Sequence, residues 1–134
     1  MFAKALAGLP LTLTLGLVAC APAVEHVEVR GDGFLWSFTR AGVDQQLGTE
    51  DDQIEVGRLT LAHGQPVRLF IRSSDYIYAL SVPELGLNEV AVPELTFVRD
   101  LTPRQKGRYD LPVDPMCGFN FLHANTSMGE ILVR

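Results

Sequence analysis

A cysteine, a histidine and a methionine share one short segment near the end of the chain, MCGFNFLHANTSMGE (116–130). Cys117, His123 and Met128 are spaced by five and then four intervening residues. A trigonal mononuclear copper centre takes two imidazoles and a thiolate, with a weak axial thioether. The segment supplies one thiolate, one imidazole and one thioether, so one nitrogen ligand is missing. Each residue also has an ordinary reading. A lone cysteine packs as a small apolar side chain, methionine fills cores, and a loop histidine need bind nothing. The other histidines, His26 and His63, read as surface residues at a strand start and a turn. There is no nucleophile motif, no Gly-rich phosphate loop and no CxxC, so the chain is not expected to be catalytic alone.

The elements that must position such a segment read as strands. HVEVR (26–30) and GFLWSFTR (33–40) alternate. IEVGRLTLA (54–62) and PVRLFIR (66–72) flank HGQ, a hairpin signal, and YIYALSV (76–82) runs up to Pro83. VAV (90–92), LTFVR (95–99), GRYDLP (107–112) and EILVR (130–134) follow, with Gly, Pro, Asp and Asn in the gaps. Many short strands at close spacing predict a β-sandwich or barrel, in one domain. The longest irregular stretch, RAGVDQQLGTEDDQ (40–53), is polar and acidic. It reads as a binding loop or a plain surface excursion, and its composition favours the second.

The first residues belong to targeting rather than fold. ALAGLPLTLTLGLVA is an apolar run of 15 residues after Lys4, short of the roughly 20 that span a bilayer. It ends in Leu17-Val18-Ala19-Cys20, which resembles a bacterial lipobox. The expected organisation is a lipoprotein-type signal over 1–19, a tether over 20–25 with lipidated Cys20, and a β domain over 26–134. An uncleaved anchor is the alternative. Either way the domain is exported and tethered to the outer face of the bacterial cytoplasmic membrane or within the envelope. With Cys20 lipidated, Cys117 has no intramolecular partner for a disulfide. The net charge of −5 is dispersed and no basic stripe exists, which argues against nucleic acid.

GQPVRLFIRSSDYIYALSVPELG (64–86) resembles the exported domain of cytochrome c oxidase subunit II, which runs G-x-P-V-R-L-x-I-x-S-x-D-V-I-H-S-F-x-V-P-x-L-G. WSF (36–38), GTEDDQ (48–53), NEVAVPE (88–94), GRY (107–109), MCG (116–118) and MGEILV (128–133) match further family segments in the right order. The resemblance implies an all-β, cupredoxin-like Greek-key β-sandwich. It also implies a place in respiratory electron transfer, beside the subunits of a cytochrome c oxidase-type complex or a redox-protein donor. In the family a binuclear CuA centre draws on the D-V-I-H histidine and on a loop C-x-E-x-C-G-x-x-H-x-x-M. Here the histidine position holds Tyr78 and the first loop cysteine falls on Val113. Only Cys117 remains as a thiolate. Two bridging thiolates are required, so a CuA centre within one chain is excluded.

Cys117-x5-His123-x4-Met128 is similar to the ligand loops of small blue copper proteins. The expectation is therefore a mononuclear copper at Cys117, His123 and Met128, with Tyr78 as a fourth candidate. A phenol with a pKa near 10 would bind only if copper displaced its proton. The alternative is a metal-free accessory subunit docking on a haem–copper oxidase or related respiratory complex.

Overall fold

The structure, a computed structural model, describes residues 8, 23–113 and 127–134. Cys20, Cys117 and His123 lie outside the described residues. The elements are β1 (Glu25–Asp32), β2 (Leu35–Arg40), β3 (Gln53–Val56), β4 (Arg58–Leu61), β5 (Val67–Ser73), β6 (Tyr78–Val82), β7 (Leu87–Ala91), β8 (Phe97–Leu101), β9 (Gly107–Pro112) and β10 (Ser127–Val133). A 3-10 turn, Pro83–Leu85, joins β6 to β7. Among the described residues no helix is long and apolar enough to cross a membrane.

One layer is a five-stranded sheet in the order β3-β2-β1-β5-β8. The other is built from β4-β10-β9. The β6–β7 hairpin lies near β9 on one side and β5 and β8 on the other. Two pairings are parallel, β1 with β5 and β4 with β10. Parallel neighbours cannot be joined by a tight hairpin, so the chain passes between layers to make them. This is the all-β, cupredoxin-like sandwich expected from the sequence.

Alternation decides which side of each strand is inside. Val27 and Val29 of β1, Trp36 and Phe38 of β2, and Leu69 and Ile71 of β5 are all 0–1% exposed. Their intervening neighbours face outward, as a half-buried sheet requires. Leu59, Leu61, Ile131 and Val133 complete the core from the second layer. Arg40 ties the layers at one edge: its guanidinium donates to the Glu25 carboxylate and to the Thr60 carbonyl.

Two expectations are corrected here. The run 54–62 is not one strand. Gly57 sits at φ 78°, in the left-handed region that glycine tolerates, and splits it. The piece before it, β3, pairs with β2; the piece after it, β4, pairs with β10 in the other layer. Consequently His63-Gly64-Gln65 is a crossing between layers rather than a hairpin turn. The second correction concerns residues 33–34. They form the β1–β2 turn, with Gly33 and Phe34 both at positive φ (58° and 62°), so Phe34 is not a strand residue.

Candidate functional site

The position that the sequence assigns to a copper ligand, Tyr78, is the first residue of β6 and is 1% exposed. Its ring fits because Gly31 stands in the facing part of β1. A Cβ on Gly31 would lie 2.4 Å from the Tyr78 ring. Gly31 is paired with Trp36, whose indole packs 5.7 Å from the Tyr78 ring, edge to face. Phe34 stands edge-on at 5.9 Å and stacks on Tyr76 at 5.4 Å. Aromatic edges and faces are complementary in these arrangements. The Trp36 indole N–H is buried and finds no hydrogen-bond acceptor among the described residues.

The Tyr78 hydroxyl is held by two groups. It donates to Asp75 Oδ1 at 2.7 Å and accepts from the Phe34 backbone N–H at 3.2 Å. Asp75 in turn accepts the Gly33 N–H on Oδ2 at 2.8 Å and the Tyr76 N–H on Oδ1 at 2.7 Å. One carboxylate and one phenol therefore fasten the β1–β2 turn to the loop entering β6. This network also holds Phe34 in its left-handed conformation, which a bulky residue adopts only at a cost.

Burial pushes the Tyr78 phenol well above the ordinary tyrosine range, and the bond to Asp75 pushes it further. Burial alone would raise Asp75. The hydrogen bonds from Tyr78, Gly33 and Tyr76 outweigh it and hold the carboxyl below its usual value. Because the phenol pKa is raised on folding, its contribution to stability is complete below the unfolded value near 10 and is lost as pH rises toward the folded value. In an ultraviolet phenolate titration, Tyr78 is expected to ionise after the ordinary tyrosine range. Tyr78→Phe should remove that late step; an unchanged titration would show that Tyr78 is not the late group.

Met128 is 1% exposed at the start of β10, beside the bulge between Ser127 and Gly129. It belongs to the main core cluster. Val113, at the family's first cysteine position, is buried at 4% exposure. His26 donates from Nδ1 to the Gln45 carbonyl, and His63 lies 3.0 Å from the Arg104 carbonyl through Nε2. Both are engaged at the surface. Among the described residues no three His, Cys, Asp or Glu side chains converge as a metal-binding group. The described part of the family's ligand set thus does not fit a binuclear copper. Tyr78 has its oxygen committed to Asp75, and the Val113 side chain carries no ligating atom.

The Tyr78–Asp75 bond was not foreseen in the sequence. Its signal was the D-Y-I-Y spacing. A carboxylate three residues before a buried tyrosine reaches its hydroxyl when the intervening residues turn, as Asp75–Ile77 do here.

No family model matches the chain. In sequence it is similar to the alternative cytochrome c oxidase subunit 2 of Bradyrhizobium diazoefficiens, 29% identical over 115 residues, covering 69% of this chain. The chain spans 42% of that relative's length. In structure it is similar to the periplasmic domain of cytochrome oxidase subunit II of Bradyrhizobium japonicum. That match has a TM-score of 0.61 at 16% identity and covers 84% of this chain and 86% of that one. It is also similar to cytochrome c oxidase subunit II in a mixed disulfide intermediate with a thioredoxin-like protein (TM-score 0.59, 16% identity, covering 88% and 87%). A third neighbour comes from a heme–copper terminal oxidase dimer (TM-score 0.57, 16% identity, covering 81% and 63%). The strand order, the register and the structural likenesses show a cupredoxin-like β-sandwich, and in sequence the chain resembles a cytochrome c oxidase subunit II.

Proposed function

We propose that this domain serves respiratory electron transfer as an exported, subunit II-like component that docks on a haem–copper oxidase or related complex and carries no CuA centre. The observation that carries the reading is Tyr78. It stands where the family places a copper-binding histidine, and its hydroxyl is spent on Asp75 and on the Phe34 amide. A buried phenol with a raised pKa and a carboxylate acceptor keeps its proton, and so is a poor metal ligand. The aromatic cluster of Phe34, Trp36, Tyr76 and Tyr78 then acts as packing that shapes one end of the sandwich. A lipid on Cys20 would hold the domain at the membrane surface, where the partner subunits lie. The relatives named above support the respiratory setting through their own assemblies.

A single copper at Cys117, His123 and Met128 is the second reading. What favours it is Met128, buried near the start of β10. Cys117 would supply a soft thiolate, His123 an imidazole and Met128 a weak thioether, and the copper would supply one-electron transfer. Tyr78 is left out of that set.

A copper titration of the reduced full chain in nonionic detergent separates these readings. Docking without metal predicts no thiolate-to-copper charge-transfer band, a Cys117 thiol that stays titratable, and co-purification with oxidase subunits. One copper per chain with an intense band, abolished by Cys117→Ser and unaffected by Tyr78→Phe, establishes the mononuclear site instead. A binuclear spectrum would overturn both.

A further inference from the structure

The outer face of the five-stranded sheet carries a cavity of about 630 Å³ whose lining does not include the buried Tyr78. That size lies within the roughly 300–1,000 Å³ of small-molecule sites. Its floor is β1 and β5, and its wall is the loop at 45–48 together with Asp52. The acidic stretch 40–53 therefore covers part of the sheet rather than standing free of it.

The charge arrangement on the floor is unusual. Arg30 and Arg72 are directly opposite each other on β1 and β5. Like charges in opposed positions on one sheet face repel and are disfavoured. Glu28 offsets only one of them: Oε1 takes Arg30 at 2.8 Å and Oε2 takes Arg72 at 3.3 Å. Both carboxylate oxygens are used, and the trio keeps one positive charge. The two guanidinium groups remain roughly half exposed (side chains 41% and 46%) with further N–H donors to give. The Asp52 carboxylate does not cancel this charge at close range. It is turned into its own loop, accepting the Gly48 N–H at 2.6 Å and the Thr49 hydroxyl.

Beyond the arginines the lining is mixed, with Phe70 and Leu47 as its apolar side chains. Phe70 lies next to Glu28 in register, and His26 meets the Phe70 ring edge-on at 5.5 Å. His26 is four residues from Arg30 along β1, about 13 Å of extended strand. Its bond to the Gln45 carbonyl pins the wall over the floor. The cavity thus has a cationic end, an aromatic middle and a fixed wall.

We propose that this cavity binds a small organic carboxylate: the anionic head between Arg30 and Arg72, the apolar body along Phe70. Guanidinium groups pair with carboxylates through parallel N–H donors, which gives geometry as well as strength. The site uses none of Cys117, His123, Met128 or Tyr78, and so stands whichever reading of the copper question holds.

The test uses the full chain in nonionic micelles and 4-(trifluoromethyl)benzoate, observed by fluorine NMR line broadening against protein-free micelles. Saturable binding is expected, weakened about tenfold by Arg30→Gln or Arg72→Gln, since hydrogen bonds to charged groups are each worth that much. Arg68→Gln is the control. Arg68 lies on the same sheet, paired with Asp100 at 2.7 Å and outside the cavity lining, and its loss should leave binding unchanged. No saturable broadening, equal binding of the neutral 4-(trifluoromethyl)benzyl alcohol, or an Arg68→Gln effect as large as that of Arg72→Gln would each overturn the proposal. Unchanged thermal melting of the variants assigns any loss to the site rather than to the fold.

Discussion

Gly31→Ala is expected to destabilise the protein by about 3 kcal/mol, although it adds one methyl group and would ordinarily favour a strand. The new Cβ would lie 2.4 and 2.8 Å from two carbons of the Tyr78 ring. That ring has nowhere cheap to go. It is 1% exposed, Trp36 and Phe34 stand against it, and its hydroxyl is tied to Asp75. Denaturant unfolding of a double-mutant cycle isolates the cause. Tyr78→Ala alone should cost about 3–5 kcal/mol through the cavity it leaves. In that background Gly31→Ala should cost less than about 1 kcal/mol, because the obstacle is gone. An equal penalty in both backgrounds would mean that Gly31 is needed for its own backbone and not to make room for the phenol. The prediction matters for function because the fit between Gly31 and Tyr78 fills the place of a metal ligand with packed aromatic carbon.

The β-sandwich was legible in the sequence because its strands bury one face each. HVEVR, WSF and VRLFIR alternate, and alternation is what a two-layered β core imposes. The segment 64–86 carried the family likeness for a related reason: it holds β5 and β6, whose inward residues pack the centre. The layer to which a strand belongs was not legible. IEVGRLTLA reads as one alternating run, yet Gly57 turns the chain and sends its halves to different sheets. Periodicity reports which face of a strand is inside, and it carries no record of hydrogen-bonded neighbours distant in sequence. The fate of Tyr78 was half legible. Its position announced a missing histidine. The Asp75 acceptor and the Gly31 recess depend on a turn and a strand register that only the folded chain brings together.

Asp75→Asn should cost about 2 kcal/mol at neutral pH, since three hydrogen bonds converge on a carboxylate that accepts all of them. Asparagine keeps one accepting oxygen. Its amide N–H groups would face either the Gly33 N–H or the Tyr78 hydroxyl, placing donor against donor. The pH dependence follows from the direction of the shift. The carboxyl is held below its ordinary value of 3.8 in the folded protein, so the ionised form is favoured by folding. The stability it contributes is therefore complete above 3.8. It declines as pH falls through that value toward the lower folded one. Denaturant unfolding of wild type and Asp75→Asn across acidic pH should show two curves that are separated at neutral pH and converge below 3.8. A constant gap down to the acid limit would assign the loss to altered shape rather than to charge. A gap that widens on acidification would reverse the sign and remove Asp75 as the group that keeps Tyr78 protonated. Convergence together with a normal late Tyr78 ionisation in Asp75→Asn would divide the phenol shift between its causes, leaving burial as the larger. In that case replacing the carboxylate would not by itself make the phenol a metal ligand. On the metal-free reading proposed above, the poor metal affinity expected of Tyr78 would then rest on the buried aromatic packing around it as much as on its acceptor.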